Sequence, residues 1–242
     1  MSLDEFLDNL TLEEIDELKR LKLEKSKVYN FSKINDKTLE LLFEIEKSFS
    51  NDIFNTWFLN EIKIQDDDEK FLNHLLEKEK NFISDYNEED LKANFIIPIL
   101  NSVDFKLIEQ KVRGFYEELL SYGNKNFVLK GNCDFFVAKG LRSPKQPYFF
   151  IQEFKRAEEY SNPRPQLIAE LICAVEINKF THIKGAYIVG AIWNFVILKK
   201  LGDNRYEYYV SENFDSTKIE NLKGIYKNLL FVKEEIKELA AR

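Results

Sequence analysis

Cysteine and histidine are both nearly missing: two of each in 242 residues. Cys133 and Cys173 cannot build a disulfide framework or a multi-cysteine zinc site. His74 and His182 cannot build a histidine-rich metal centre. Glycine (8) and proline (5) are also scarce, which argues against a propeller, a collagen-like chain or a loop-rich scaffold. The longest apolar stretch, Gly185 to Leu198, is 14 residues and contains Asn194, too short to cross a bilayer. The first thirty residues are dense in Lys, Glu and Asp, so no signal or transit peptide is expected. A reducing cytoplasm follows as the expected location, without a membrane partner and with both cysteines as small core residues. Three signatures are missing as well. No phosphate loop of the form G-x-x-x-x-G-K followed by Ser or Thr is present, so the chain is no motor by itself. No G-x-G-x-x-G follows a strand, which argues against a dinucleotide cofactor, and no G-x-S-x-G elbow supports a serine hydrolase.

What is present suits a large core. Apolar residues make up 44%, with 21 Phe and 11 Tyr, and 32% of residues are charged. The length fits one large domain, or one domain with an appendage. The net charge of −7 hides an asymmetry. Residues 1–90 hold 12 Lys and Arg against 24 Asp and Glu; residues 91–242 hold 23 against 18. The acidic balance of the first part therefore coexists with a basic second part that can attract phosphate backbones.

Residues 1–84 read as helical throughout. Ser2–Glu5 and Thr11–Glu14 both have the capping-box pattern. Leu12, Ile15, Leu18, Leu21 and Leu23 make an approximate helical stripe. Asp36, Asp52 and Asp66-Asp67-Asp68 mark three further helix starts. From Asn87 the texture changes. Asn87 can cap a helix to about Ser102, which Pro98 should kink. Strands are expected near 108–119, 127–138 and 148–154, then a helix from Gln166 to about Lys179. Strands near 185–189, 194–198 and 206–210 follow, with a last helix opening at Asp215. This order predicts a mixed α/β sheet flanked by helices over residues 85–242, with residues 1–84 as an acidic all-helical segment.

The stretch Tyr148 to Arg156 carries the chemistry. In a strand, Phe149, Ile151, Glu153 and Lys155 share one face. Both faces are apolar at its start, so a carboxylate and an ammonium two residues apart end a strand covered on both sides. Buried charge is costly unless paired or metal-bound. Asp134 offers a second carboxylate inside the apolar run 129–137. If the two strands are antiparallel neighbours, Asp134 and Glu153 approach one another, and a divalent cation would relieve their repulsion. Oxygen ligands plus waters suit Mg²⁺, and Lys155 would stand beside it.

Asp134 followed by Glu153-Phe-Lys155, in a helix–strand–strand–strand–helix–strand context, resembles the PD-(D/E)XK nuclease superfamily. Asn87-Glu88-Glu89-Asp90 through Leu100 looks like the opening helix of the nuclease domains at the N-terminus of type I restriction enzyme motor subunits. Gln166 to Glu170 and the strand pair 185–198 resemble elements of the same domains. The resemblance covers about residues 85–235. It implies a restriction-endonuclease-like sheet and a Mg²⁺-dependent nuclease (Mn²⁺ as a substitute) that hydrolyses phosphodiester bonds, with DNA rather than RNA as the expected substrate. It assigns Asp134, Glu153 and Glu88 to the metal, Lys155 as the catalytic lysine, and Gln166 to orienting the lysine, a water or a phosphate. Cys133 stands where the family name has Pro. A homodimer, which many such nucleases form to cut two strands, is compatible with it.

Other readings stay open from the residues alone. Glu153 and Lys155 can be a structural ion pair, and Asp134 a turn residue if its strand stops at Cys133. Glu88, Glu89 and Asp90 suit a helix first turn, and Glu89 or Asp90 replaces Glu88 if the register is off by one. Gln166 suits any helix N-terminus. Trp57 and Trp193 read as core, and Lys139, Arg142, Lys145, Arg156 and Arg164 as solvated surface or phosphate contacts. The rival functional reading is a catalytically inactive nuclease-fold protein that binds nucleic acid or a protein, with residues 1–84 as an interaction or regulatory module.

Overall fold

The computed structural model describes residues 10–25, 27–50, 52–156 and 162–241. The expected cap at Ser2–Glu5 lies outside them. Helix α1 (Leu12–Lys25) opens on the second capping box: Thr11 N–H donates to Glu14 Oε2 at 2.9 Å and Glu14 N–H to Thr11 Oγ1 at 3.2 Å. Next come β1 (Lys27–Asn30), α2 (Asp36–Leu42), β2 (Glu44–Ser48), α3 (Asn55–Phe58) and α4 (Asp66–Glu79). A continuous helix, α5, spans residues 88–103, followed by β3 (Val112–Gly123), β4 (Phe127–Lys139) and β5 (Lys145–Lys155). Helix α6 (Pro163–Asn178), β6 (His182–Val189), β7 (Ile192–Gly202), β8 (Arg205–Val210), β9 (Phe214–Asp215) and α7 (Ile219–Ala240) complete the order. No helix among the described residues is long and apolar enough to cross a membrane.

These elements form a mixed nine-stranded sheet with the order β1-β4-β5-β6-β7-β8-β2; β3 also pairs with β4, and β9 with β7. Strands β4 and β5 are antiparallel, and β5 and β6 parallel. That parallel step is bridged by α6, as a parallel connection requires. Helices cover both faces. On one, α4, α5 and α7 pack Leu72, Phe95, Ile99, Ile225 and Leu229 on Phe135, Phe150, Phe154 and Phe195. On the other, α6 packs Leu167, Leu171 and Val175 on Phe136, Ile151 and Val196. A helix that is apolar all round must be covered all round, and residues 167–175 of α6 are fully buried. Phe31, Leu39 and Phe43, from the first part of the chain, share the hydrophobic cluster of α6.

The expectation of an all-helical segment up to residue 84 is therefore corrected. Strand β1 pairs in parallel with β4, and β2 with β8. Both strands are short and polar, KVYN and EIEKS, and their pairing partners lie far along the chain, so no local periodicity marks them. Phe54, Trp57 and Leu72 enter the cluster of α4, α5 and α7 on the opposite face. Both cysteines and both tryptophans are buried in the core, as expected. Pro98 produces no break in α5. The turn before it, Lys92–Ile96, widens into a π-helix, which relieves the clash a proline ring makes with the preceding turn. Phe149 is bulged out of the β4–β5 register. It consequently packs with Phe150 in one cluster while Tyr148 turns to the other, a reversal of the alternation expected for these two.

Candidate active site

Glu153 and Lys155 stand on the α6 face of β5 with Ile151, as strand alternation requires. Gly185 lets α6 approach: a Cβ there would lie 2.8 Å from Ile151 O and 2.9 Å from Leu171 Cδ2. Beyond the end of β5, the β6–β7 turn at Gly190 (φ +57°) donates its N–H to Lys155 O at 2.9 Å, which fixes the backbone under the lysine.

Asp134 lies inside β4, which continues to Lys139, so it is no turn residue. The pairing Phe135↔Gln152 brings Asp134 beside Glu153. The Phe154 N–H donates to Asp134 Oδ2 at 2.7 Å. In β4 both Cys133 and Phe136 join the cluster of α6, and in β3 so do Phe115 and Leu120. The alternation of both strands thus slips by one residue at the same level. There Glu117, between the pairs Tyr116↔Phe135 and Glu118↔Cys133, has φ +51°.

Glu153 is 1% exposed. Its Oε1 accepts from Lys155 Nζ at 2.7 Å, and its Oε2 is buried without a hydrogen-bond partner. Burial, then the charge of Asp134, pushes the carboxyl up to about 8. Burial alone would lower the Lys155 pKa, but Glu153, Asp134 and Glu88 outweigh it and hold the ammonium above the ordinary lysine value. Glu88, the first residue of α5, places Oε1 3.8 Å from Lys155 Nζ. Among the three first-turn acids it is the one that reaches Lys155. Glu89 is turned outward, with its side chain 83% exposed, and Asp90 donates its N–H to the Asn87 cap at 2.9 Å.

The structure therefore gathers Asp134, Glu153, Lys155 and Glu88. Gln166 stands one layer behind. Its amide donates to Glu170 Oε1 at 3.1 Å rather than to Lys155. Glu170 is fully buried, its Oε2 has no partner, and burial together with the Glu153 charge pushes its pKa well above the carboxylate range. Protonated, it can donate from the oxygen that otherwise stands alone.

Three site residues escape a reading of the sequence alone. Lys92 is the most central. Its side chain is 8% exposed, and its Nζ lies 2.9 Å from Asp134 Oδ1, 3.2 Å from Glu88 and from Glu117, and 3.6 Å from Glu89. Its only local signal is the four-residue spacing from Glu88. Glu117 and Glu170 are the others; Glu170 carries the same four-residue signal from Gln166, inside an apolar helix.

As they stand, no three His, Cys, Asp or Glu side chains among the described residues form a ready metal cage. Two donors already occupy Asp134, Lys92 on one oxygen and the Phe154 N–H on the other. The donor set nonetheless fits Mg²⁺, which uses one or two carboxylates and completes its shell with water and phosphate oxygens. The buried, unpartnered Oε2 of Glu153 is the oxygen that a cation would satisfy.

The cationic side chains outside the site divide. Arg164 pairs with Asp36 at 2.6 Å and ties α6 to α2. Lys139, Arg142 and Lys145 line a surface cleft at the β4–β5 hairpin, at the opposite end of β5 from Lys155. Arg156 is exposed beside the site. His74 and His182 are exposed and away from it. No protein-family model and no curated protein matches this chain.

Proposed function

We propose that the protein is a Mg²⁺-dependent nuclease with a restriction-endonuclease-like fold, hydrolysing phosphodiester bonds, with DNA rather than RNA as its proposed substrate. One observation carries the reading. A fully buried carboxylate, Glu153, has one oxygen on Lys155 and the other unpartnered beside Asp134. Leaving such a group unsatisfied costs about 1–3 kcal/mol or more, and a divalent cation removes that cost.

Asp134, Glu153 and Glu88 are the residues that would hold the ion. When bound, the ion supplies Lewis-acid polarisation of the phosphate and lowers the pKa of water. Hydrolysis then forms a bond from a water oxygen to phosphorus and breaks a backbone P–O bond. The water loses one proton and the leaving oxygen gains one. Lys155 stays an ammonium because carboxylates surround it. Only one of its three donors is taken by Glu153 within hydrogen-bond distance, and Glu88 is too far at 3.8 Å. The remaining donors suit the charge that develops on a phosphate in the transition state. Glu153 fixes the position of Lys155, and the Gln166–Glu170 pair closes the site from beneath.

The exposed Arg156 directly follows Lys155 and supplies a cation at the edge of the site, which suits an anionic polymer. The test is a Mg²⁺ titration of DNA cleavage with wild type and Lys155→Ala. Cleavage by wild type that falls by 100-fold or more in the variant supports the reading; equal rates refute catalysis at this site.

A further inference from the structure

Two lysines stand in the site, and the proposed chemistry uses one. Lys92 differs from Lys155 in a decisive way. An ammonium has three N–H donors; Lys92 donates to Asp134 Oδ1 at 2.9 Å and to Glu117 Oε1 at 3.2 Å, and Glu88 Oε1 pairs with its charge at 3.2 Å. Carboxylates surround this ammonium on three sides, which suits it to holding them rather than a substrate phosphate. Lys92 is also held deep, with its side chain 8% exposed, so it is not placed to swing toward a ligand at the surface.

Two departures from regular backbone converge on this contact. The π-helix of α5 begins at Lys92. Glu117, opposite Asp134 in the β3–β4 register, takes a positive φ that a glutamate rarely adopts. Three carboxylates from a helix and two strands meet at one point, and the positive charge there is covalently part of the chain. In two-metal sites a second ion joins the first to clamp the attacking and leaving oxygens, and carboxylates such as these would be its ligands. Here the Lys92 ammonium already offsets part of that negative charge, one positive charge against three carboxylates.

We infer that Lys92 is a built-in cation that holds Asp134, Glu88 and Glu117 together in the place of a second divalent ion, so that the site takes one metal ion. The inference rests on the proposed metal-dependent reading and deepens it. Lys92 is a positioning residue: it sets the direction of Asp134 and leaves the space beside Glu153 as the position for the ion.

Counting Mn²⁺ bound to the full chain by equilibrium dialysis tests this without reading activity. Lys92→Met keeps the length and removes the charge. The expected result is one more ion per chain than wild type binds, and loss of that extra ion in the Lys92→Met/Glu117→Gln double variant. The same ion count in wild type and Lys92→Met overturns the inference. If Lys92→Met is unfolded in EDTA, its melting is followed as Mn²⁺ is added. Stabilisation that exceeds the wild-type shift supports the inference, and an equal or smaller shift overturns it. The difference between variant and wild type decides this point, whereas the wild-type and Lys155→Ala cleavage rates decide the nuclease reading, so the two can fail separately.

Discussion

Lys92 and Asp134, 42 residues apart in the chain, are joined by a buried 2.9 Å hydrogen bond between ammonium and carboxylate. The bond links α5 to β4, and the second Asp134 oxygen links β4 to β5 through the Phe154 N–H. Asp134 is thus a structural node as well as a candidate ligand. Removing one partner of a buried pair leaves the other uncompensated. Asp134→Ala should therefore lower unfolding stability by about 3 kcal/mol, while Asp134→Asn keeps an oxygen for Phe154 and should cost less. Urea unfolding of the metal-free proteins checks the order; equal stability of all three would remove the node.

Glu170 makes stability depend on pH. Its folded pKa is raised above the ordinary 4.5 by burial and by Glu153, so the folded state keeps a proton that the unfolded chain releases. Stability must then fall as pH rises above about 4.5, by up to about 1.4 kcal/mol per pH unit for one group. Glu153 adds to the fall until about pH 8. In EDTA, Glu170→Gln should flatten the slope measured by urea unfolding between pH 5 and 8. A slope identical to wild type would show that Glu170 ionises normally.

Gly185 should tolerate no side chain, because a Cβ meets Ile151 O at 2.8 Å. Gly185→Ala is expected to cost about 1–3 kcal/mol through overpacking between α6 and β5. Gly202, which has no atom within 4 Å of its would-be Cβ, provides the control. Thermal melting of both variants gives the comparison, and equal melting temperatures would contradict the packing described.

The first part of the chain supplies core, not decoration. Phe31, Leu39 and Phe43 cover α6, and Phe54, Trp57 and Leu72 cover the opposite face. A chain beginning at residue 85 should fail to fold, as judged by near-ultraviolet circular dichroism and solubility. A cooperative melt in that fragment would show that the earlier residues are an addition to a complete domain.

The contrast between what the sequence shows and what it hides follows from range. Strands β4 to β8 and helix α6 are legible because each carries an apolar run with its own period, and the Asp134, Glu153 and Lys155 trio because charge interrupts those runs. Strands β1 and β2 carry four and five mixed residues and acquire their identity only from distant partners. Lys92 and Glu117 look like ordinary surface charges. Their place in the site depends on a π turn and a positive φ, which no residue pattern announces. The partner of Gln166 was hidden for another reason: the Glu170 carboxyl lies inside a helix whose neighbours are all apolar, and only the packing shows that it faces Glu153.

The most direct test of the central claim is Mn²⁺ affinity, by calorimetric titration, of wild type against Glu153→Gln. The account predicts one ion bound by wild type and at least ~10-fold weaker binding in the variant, since the buried Glu153 oxygen is the ligand the ion satisfies. Binding of equal strength in the two proteins would contradict it.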